Sequence, residues 1–198
     1  MAFYLRILGL QDPSFHLDEL KTCLQENGFP VTFKIFDNGS ETKWHEIEIS
    51  DAAGIPLIYI ERDPVIKGEL GREELEELKR DIQDYKPKSA VKWLNKYLEK
   101  IKVIYAIELY DAVLEDNNYP IIALMKNKIH SFTGGIFQGD DEGFYNEKEE
   151  LILWQFPEDV TGEWNMAIMD ARGMWTGFAM ELGNKKNREA FFAGKLPE

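Results

Sequence analysis

The spacing of apolar residues changes twice along this chain, and that change constrains the fold more than any other feature of the sequence. From Phe3 to Arg62 short β-type runs dominate. From Glu69 to His130 a helical period takes over, and from Ile136 to Met180 short turn-bounded runs return. Strand blocks on either side of a helical block favour an α+β fold over the strand–helix alternation of a parallel sheet.

The first block reads β-α-β-β-β. Phe3 to Leu10 is a strand, and Asp12-Pro13-Ser14 ends it. Leu17, Leu20 and Leu24 then recur at helical spacing up to a stop at Asn27-Gly28. Further strands are expected at Val31–Phe36, Lys43–Ile49 and Ile55–Ile60. The sequon Asn38-Gly39-Ser40 reads as a turn between apolar runs.

The helical block opens with Leu75, Leu78, Ile82 and Tyr85 on one face, and Pro87 breaks it. A second helix places Val91, Leu94, Leu98 and Ile101 on its apolar face. Val103 to Leu109 is apolar nearly all round, so it fits a buried helix or a buried strand. Continuity with the preceding helix favours the helix. Another helix is expected from Pro120 to His130, stopped by Gly134-Gly135.

The last block reads as an antiparallel meander over Ile136–Gln138, Leu151–Phe156, Trp164–Met169 and Met174–Met180, with a short closing helix near Asn187–Ala193. At 198 residues the chain is expected to form one compact unit, 1–198. A division into an N-terminal sheet unit, 1–68, and a helical plus meander unit, 69–198, is the alternative.

Charge narrows the function classes. The formal net charge is −13, which repels phosphate backbones and argues against nucleic-acid binding. No apolar run approaches the roughly 18 residues that suggest a bilayer span. The opening Met1–Arg6 lacks the basic stretch and apolar core of a secretory leader, so a cytoplasmic location is expected. Cys23 is the single cysteine, which excludes an intrachain disulfide and fits a reducing compartment.

Three features suggest chemistry. The first is acidic: residues 138–163 hold nine acids and one base, Lys148, and so carry eight of the thirteen net negative charges. The sharpest part is Gly139-Asp140-Asp141-Glu142-Gly143. Adjacent carboxylates suit a hard cation or acid/base work, although the spacing is not that of a calcium-binding loop. The alternatives are a solvated turn, or a negative patch for a basic partner extending over Glu147, Glu149 and Glu150. The second feature is a lysine stripe. Lys88, Lys92, Lys96 and Lys100 recur every four residues and line one helix face. Such a face is solvated, or docks an anion or the acidic stretch itself. The third is a late aromatic set that includes Tyr145, Trp154, Trp164 and Trp175, which suits a core or a ligand pocket.

Enzyme signatures are sparse. The sequence holds no phosphate-binding loop, nucleophile elbow or His-x-x-x-His pair. His130 fits a general base near the acidic loop, or a helix C-terminal residue favoured by the dipole. The expectation is therefore a non-enzymatic, cytoplasmic protein-binding module of adaptor, inhibitor or toxin-neutralising type. It would use an acidic surface for a basic partner, without cofactor, nucleic acid or membrane. The alternatives are a metal-dependent or acid/base hydrolase built on Asp140, Asp141 and Glu142, and a small-ligand sensor with an aromatic pocket.

Overall fold

A computed structural model describes residues 3–36, 39–115 and 117–197. The leader expectation at Met1-Ala2 and the turn at Asn38 lie outside the described residues. The α+β expectation holds, with five α-helices and ten strands among the described residues. In chain order these are β1 (Phe3–Gly9), α1 (Leu17–Glu26), β2 (Val31–Ile35), β3 (Glu46–Asp51), β4 (Pro56–Pro64), α2 (Leu70–Asp81), α3 (Lys88–Tyr97), β5 (Val103–Leu109) and α4 (Pro120–Thr133). They are followed by β6 (Ile136–Gly139), β7 (Gly143–Tyr145), β8 (Leu151–Trp154), β9 (Glu163–Met169), β10 (Trp175–Glu181) and α5 (Lys185–Phe192). No helix among the described residues is long and apolar enough to cross a membrane.

The backbone divides into two compact units. One comprises the chain up to Arg72 together with Ile101–Gly135; the other comprises Glu73–Lys100 with the chain from Ile136 onward. In the first unit the strands run in the order β1-β5-β4-β3-β2, all antiparallel. The helix α1 forms where the leucine spacing predicts it, with Leu17, Leu20 and Leu24 buried. Its first turn is capped by the His16 ring, which accepts from the Asp18 N–H.

The expected continuation of α3 through Val103–Leu109 is corrected. The segment is strand β5, between β1 and β4. The helix ends at Tyr97, and a 3₁₀ turn at Leu98–Lys100 closes it. A run apolar on both faces suits a central strand as well as a buried helix. Here the β-branched Val103, Ile104 and Ile107 favour the strand. The same block holds a second departure: Tyr85 lies exposed, because α2 stops at Asp81 and a 3₁₀ turn over Ile82–Asp84 takes Tyr85 off the apolar stripe.

In the second unit the strands run β6-β7-β8-β9-β10, which is the expected C-terminal meander with α5 closing it. One step is parallel: β8 meets β9 through Leu151 and Met166, and the chain crosses back over 155–162 to make it. The strand β7 is an addition to the expected set. Its three residues lie inside the acidic stretch, too short to show a period. The helix α3 presents Ala90, Val91, Leu94 and Tyr97 to the core. Just before it, the Lys86 carbonyl accepts from the Trp154 N–H at 2.9 Å, which ties the start of α3 to β8.

Candidate functional site

The carboxylates of Asp140, Asp141 and Glu142 occupy the turn between β6 and β7. The Glu142 N–H donates to the Gly139 carbonyl at 3.2 Å, closing the turn. Asp141 sits at φ 57°, a left-handed conformation that aspartate tolerates better than most residues. Gly143 follows at φ 133°, where a Cβ would lie 1.9 Å from the Leu153 carbonyl oxygen of β8. The glycine is therefore required by the approach of β8. Glu142 accepts a hydrogen bond from the Tyr145 hydroxyl at 2.5 Å. Burial, and then the Glu142 charge, push the Tyr145 phenol well above its ordinary range, so it remains a donor. The ligand atoms of the three acids do not gather within 4.8 Å of one another. His130 lies in the last turn of α4, in the other unit, with Nε2 3.1 Å from the Gly135 carbonyl oxygen.

Among the described residues, the ligand atoms of His16, Asp18 and Glu41 do converge within 4.8 Å. Sequence reasoning missed this group, because Glu41 is distant in sequence and no ligand spacing announces it. Both ring nitrogens of His16 are engaged: Nδ1 accepts from the Asp18 N–H at 3.2 Å, and Nε2 lies 3.0 Å from the Glu41 carboxylate. This is a helix cap reinforced by the Nε2–Glu41 contact, and a cation would have to displace both contacts. Cys23 is half-buried in α1, its carbonyl accepting from the Asn27 side chain at 2.8 Å.

The second unit contains a cleft of about 250 Å³ whose lining includes Trp93, Trp175, Met174, Glu147 and Lys148. It is built from three local structures. On α3, Trp93 and Tyr97 are one helical turn apart and stack with ring centroids 4.4 Å apart. In the loop between β7 and β8, the buried Asn146 takes the Lys148 and Glu150 N–H groups on its side-chain oxygen at 2.9 and 3.0 Å. Its amide donates to the Glu150 carboxylate at 2.8 Å. These bonds fix the loop and leave Glu147 at its crest. In the β9–β10 turn, one Asp170 oxygen accepts from the Arg172 and Met174 N–H groups at 2.8 and 2.9 Å. The Met174 bond is the main reason the Asp170 carboxyl is held below its ordinary pKa. The turn presents Met174, which is 64% exposed, and Trp175.

The indoles of Trp93 and Trp175 meet edge to face, with centroids 5.2 Å apart and planes at 81°. The Tyr97 hydroxyl donates to Glu147 at 3.1 Å. Burial, and then Glu147, raise the Tyr97 phenol far above its ordinary value, so this donor persists at neutral pH. A fixed carboxylate beside indole faces is the chemistry that attracts an ammonium or guanidinium group. Lys148 also lines the cleft, yet Glu147, Lys148, Glu149 and Glu150 together still carry a net charge of −2.

Lys88, Lys92, Lys96 and Lys100 are all exposed on α3 and the 3₁₀ turn that follows it. Lys88 donates to the Gln83 carbonyl, and the Lys100 ammonium lies 5.7 Å from the centre of the Tyr97 ring. Glu149 is exposed, whereas Glu150 is half-buried, and one of its oxygens fills the space where a Cβ on Gly177 would stand. Of the aromatic set, Phe144, Tyr145, Trp154 and Phe191 are core residues. Trp175 is left half-buried at the cleft. Sequence reasoning missed Trp93 and Met174. The four-residue spacing of Trp93 and Tyr97 was the available signal for the first, and Met174 had none. Comparison of the chain with family models, curated proteins and solved structures finds no match.

Proposed function

We propose that the chain is a non-enzymatic, cytoplasmic protein-binding module whose acidic C-terminal surface receives a basic partner, a lysine or arginine of which enters the Trp93–Trp175 cleft. The observation that supports this reading is the Glu147 carboxylate, held by Tyr97 beside two half-buried indoles. The volume of about 250 Å³ lies below the range of about 300–1,000 Å³ usual for small-molecule pockets, and suits one side-chain head group. Glu149 and Glu150 supply negative charge in the same loop as Glu147, and Asp140, Asp141 and Glu142, at the other end of β7, add to the acidity of the unit. Lys88, Lys92, Lys96 and Lys100 stand exposed on α3 and the 3₁₀ turn after it, and disfavour approach over the helix.

Calorimetry and tryptophan fluorescence with a lysine-containing peptide test the reading. Binding is expected to weaken with salt and to fall about 2- to 30-fold in Trp93→Ala, the equivalent of roughly 0.5–2 kcal/mol of cation–π interaction. Glu147→Gln, an exposed and nearly isosteric change, should lower affinity without altering the fold. An unchanged affinity in Glu147→Gln, or equal binding of a glutamate-containing peptide, would refute it.

A further inference from the structure

The proposed cleft accounts for one side chain of a partner; the edge of the adjoining sheet accounts for a backbone. In the second unit β10 is the last strand, and among the described residues no strand pairs with its outer side. The register of the β9–β10 hairpin shows which groups face outward. The Asp170 N–H donates to the Met174 carbonyl at 2.9 Å, and beyond the other end of the hairpin the Leu182 N–H donates to the Gly162 carbonyl at 2.8 Å. Hydrogen-bonded pairs alternate along an antiparallel ladder, so Thr176, Phe178 and Met180 bond inward to β9. The N–H and C=O groups of Trp175, Gly177, Ala179 and Glu181 therefore point to the open side.

Edge strands are normally guarded by charge, proline or a bulge. The other terminal strand, β2, carries Lys34 near its middle. β10 reads Trp-Thr-Gly-Phe-Ala-Met-Glu and is free of proline, lysine and arginine; its one charge stands at its last residue. Most of it is exposed.

The flanks of this edge are acidic. Trp175, Gly177, Ala179 and Glu181 share one face of the strand by the two-residue period. At one end of that face lie Trp175 and the cleft with Glu147. Near the middle the Glu150 carboxylate lies over Gly177. At the other end Glu181 stands directly opposite Glu163; one Glu181 oxygen accepts from the Gly162 and Gly183 N–H groups at 2.7 and 3.1 Å, which holds the carboxylate at that end of the strand. Trp175 and Glu181 are six residues apart, about 20 Å along a strand.

We infer that β10 is a docking edge on which an extended, basic segment of the partner adds as a further strand. The inference rests on the proposed function. The added segment carries two cationic residues six positions apart, both on the cleft face. One lies against Trp175 and Glu147, the other against Glu163 and Glu181. A second copy of this chain is a poor occupant. Two β10 strands paired antiparallel would bring Glu181 of each against the Glu147 end of the other, in a chain of net charge −13.

The test uses the full chain and the peptide acetyl-Lys-Thr-Val-Thr-Val-Thr-Lys-amide, with Nα-acetyl-lysine amide as a probe of the cleft alone. Ala179→Pro removes an outward N–H and leaves the β9 ladder intact. The expected result is a loss of peptide affinity of about tenfold or more in Ala179→Pro, with the acetyl-lysine amide response unchanged. The same peptide N-methylated at alternate residues should bind the unaltered protein more weakly by a similar factor. Amide exchange at Gly177 and Ala179 should slow when the unmodified peptide binds. If the N-methylated peptide binds as well as the parent, edge docking is wrong while the cation cleft stands. If neither the peptide nor acetyl-lysine amide binds, the proposed function falls together with this inference. Concentration-dependent dimerisation that protects the same amides without peptide would overturn it in favour of a second copy.

Discussion

Leu98 and Lys96 give the most direct test of how α3 is held. Leu98 is 0% exposed, while Lys96 stands in solvent two residues earlier. In Leu98→Ala three buried carbon groups leave the core, a transfer loss of about 2.4 kcal/mol at about 0.8 kcal/mol each. The residual cavity adds to this, placing the total at roughly 2–5 kcal/mol. Lys96→Ala removes an exposed side chain and should change stability by less than about 0.5 kcal/mol. Denaturant titration followed by both tryptophan fluorescence and far-ultraviolet circular dichroism measures the two variants. Two probes are needed because a chain with two compact units need not unfold in one step. Equal destabilisation by the two substitutions would refute the assignment of helix faces, and with it the claim that Trp93 and Tyr97 are fixed on a rigid support.

Two further predictions concern titration and metal. Burial pushes the Tyr105 phenol up to about 12 against the lowering influence of Arg62, and Tyr97 and Tyr145 are raised further. Unfolded tyrosine ionises near pH 10, so above that pH the unfolded chain releases protons that the native chain keeps. The stabilisation should be complete below about pH 10 and decline as the pH rises toward 12; alkaline denaturation measures it, and Tyr105→Phe should reduce the decline. Mg²⁺, Mn²⁺ and Ca²⁺ should show no micromolar binding at Asp140, Asp141 and Glu142 by calorimetry. Such binding, abolished in Asp140→Asn/Asp141→Asn, would restore the metal-dependent reading.

The sequence was most legible where one face of an element is buried. Leu17, Leu20 and Leu24, and likewise Val91, Leu94 and Leu98, mark helix faces that the structure buries. It was least legible at β5. A central strand loses its alternation because both of its faces are covered, so period alone no longer separates it from a helix. β7 was hidden for a different reason, since three residues carry no period and the acids around it drew attention to charge. The cleft shows the limit for sites. Glu147 was visible as one acid among many. What distinguishes it is the hydroxyl of Tyr97, fifty residues earlier, and no local pattern encodes that contact.

Charge density and charge placement therefore point to different residues. The densest acids, Asp140–Glu142, are arranged by the needs of a turn: Asp141 takes a left-handed conformation, and Glu142 is engaged by a buried phenol. Glu147 belongs to a sparser stretch, yet a protonated donor fixes it in the cleft lined by Trp93 and Trp175, the pairing of carboxylate and aromatic surface that attracts a cation. The lysine that follows α3 sharpens the contrast. Lys100 lies against the Tyr97 ring that holds Glu147, so like charge stands at the helix side of the cleft. A basic ligand arriving over α3 meets repulsion within about 10 Å at ordinary ionic strength. Along β10 it meets Glu150, Glu163 and Glu181 together with an unguarded backbone. An overall charge of −13 attracts any basic protein; the placement of these few groups is what would give such a partner one direction of approach and one register.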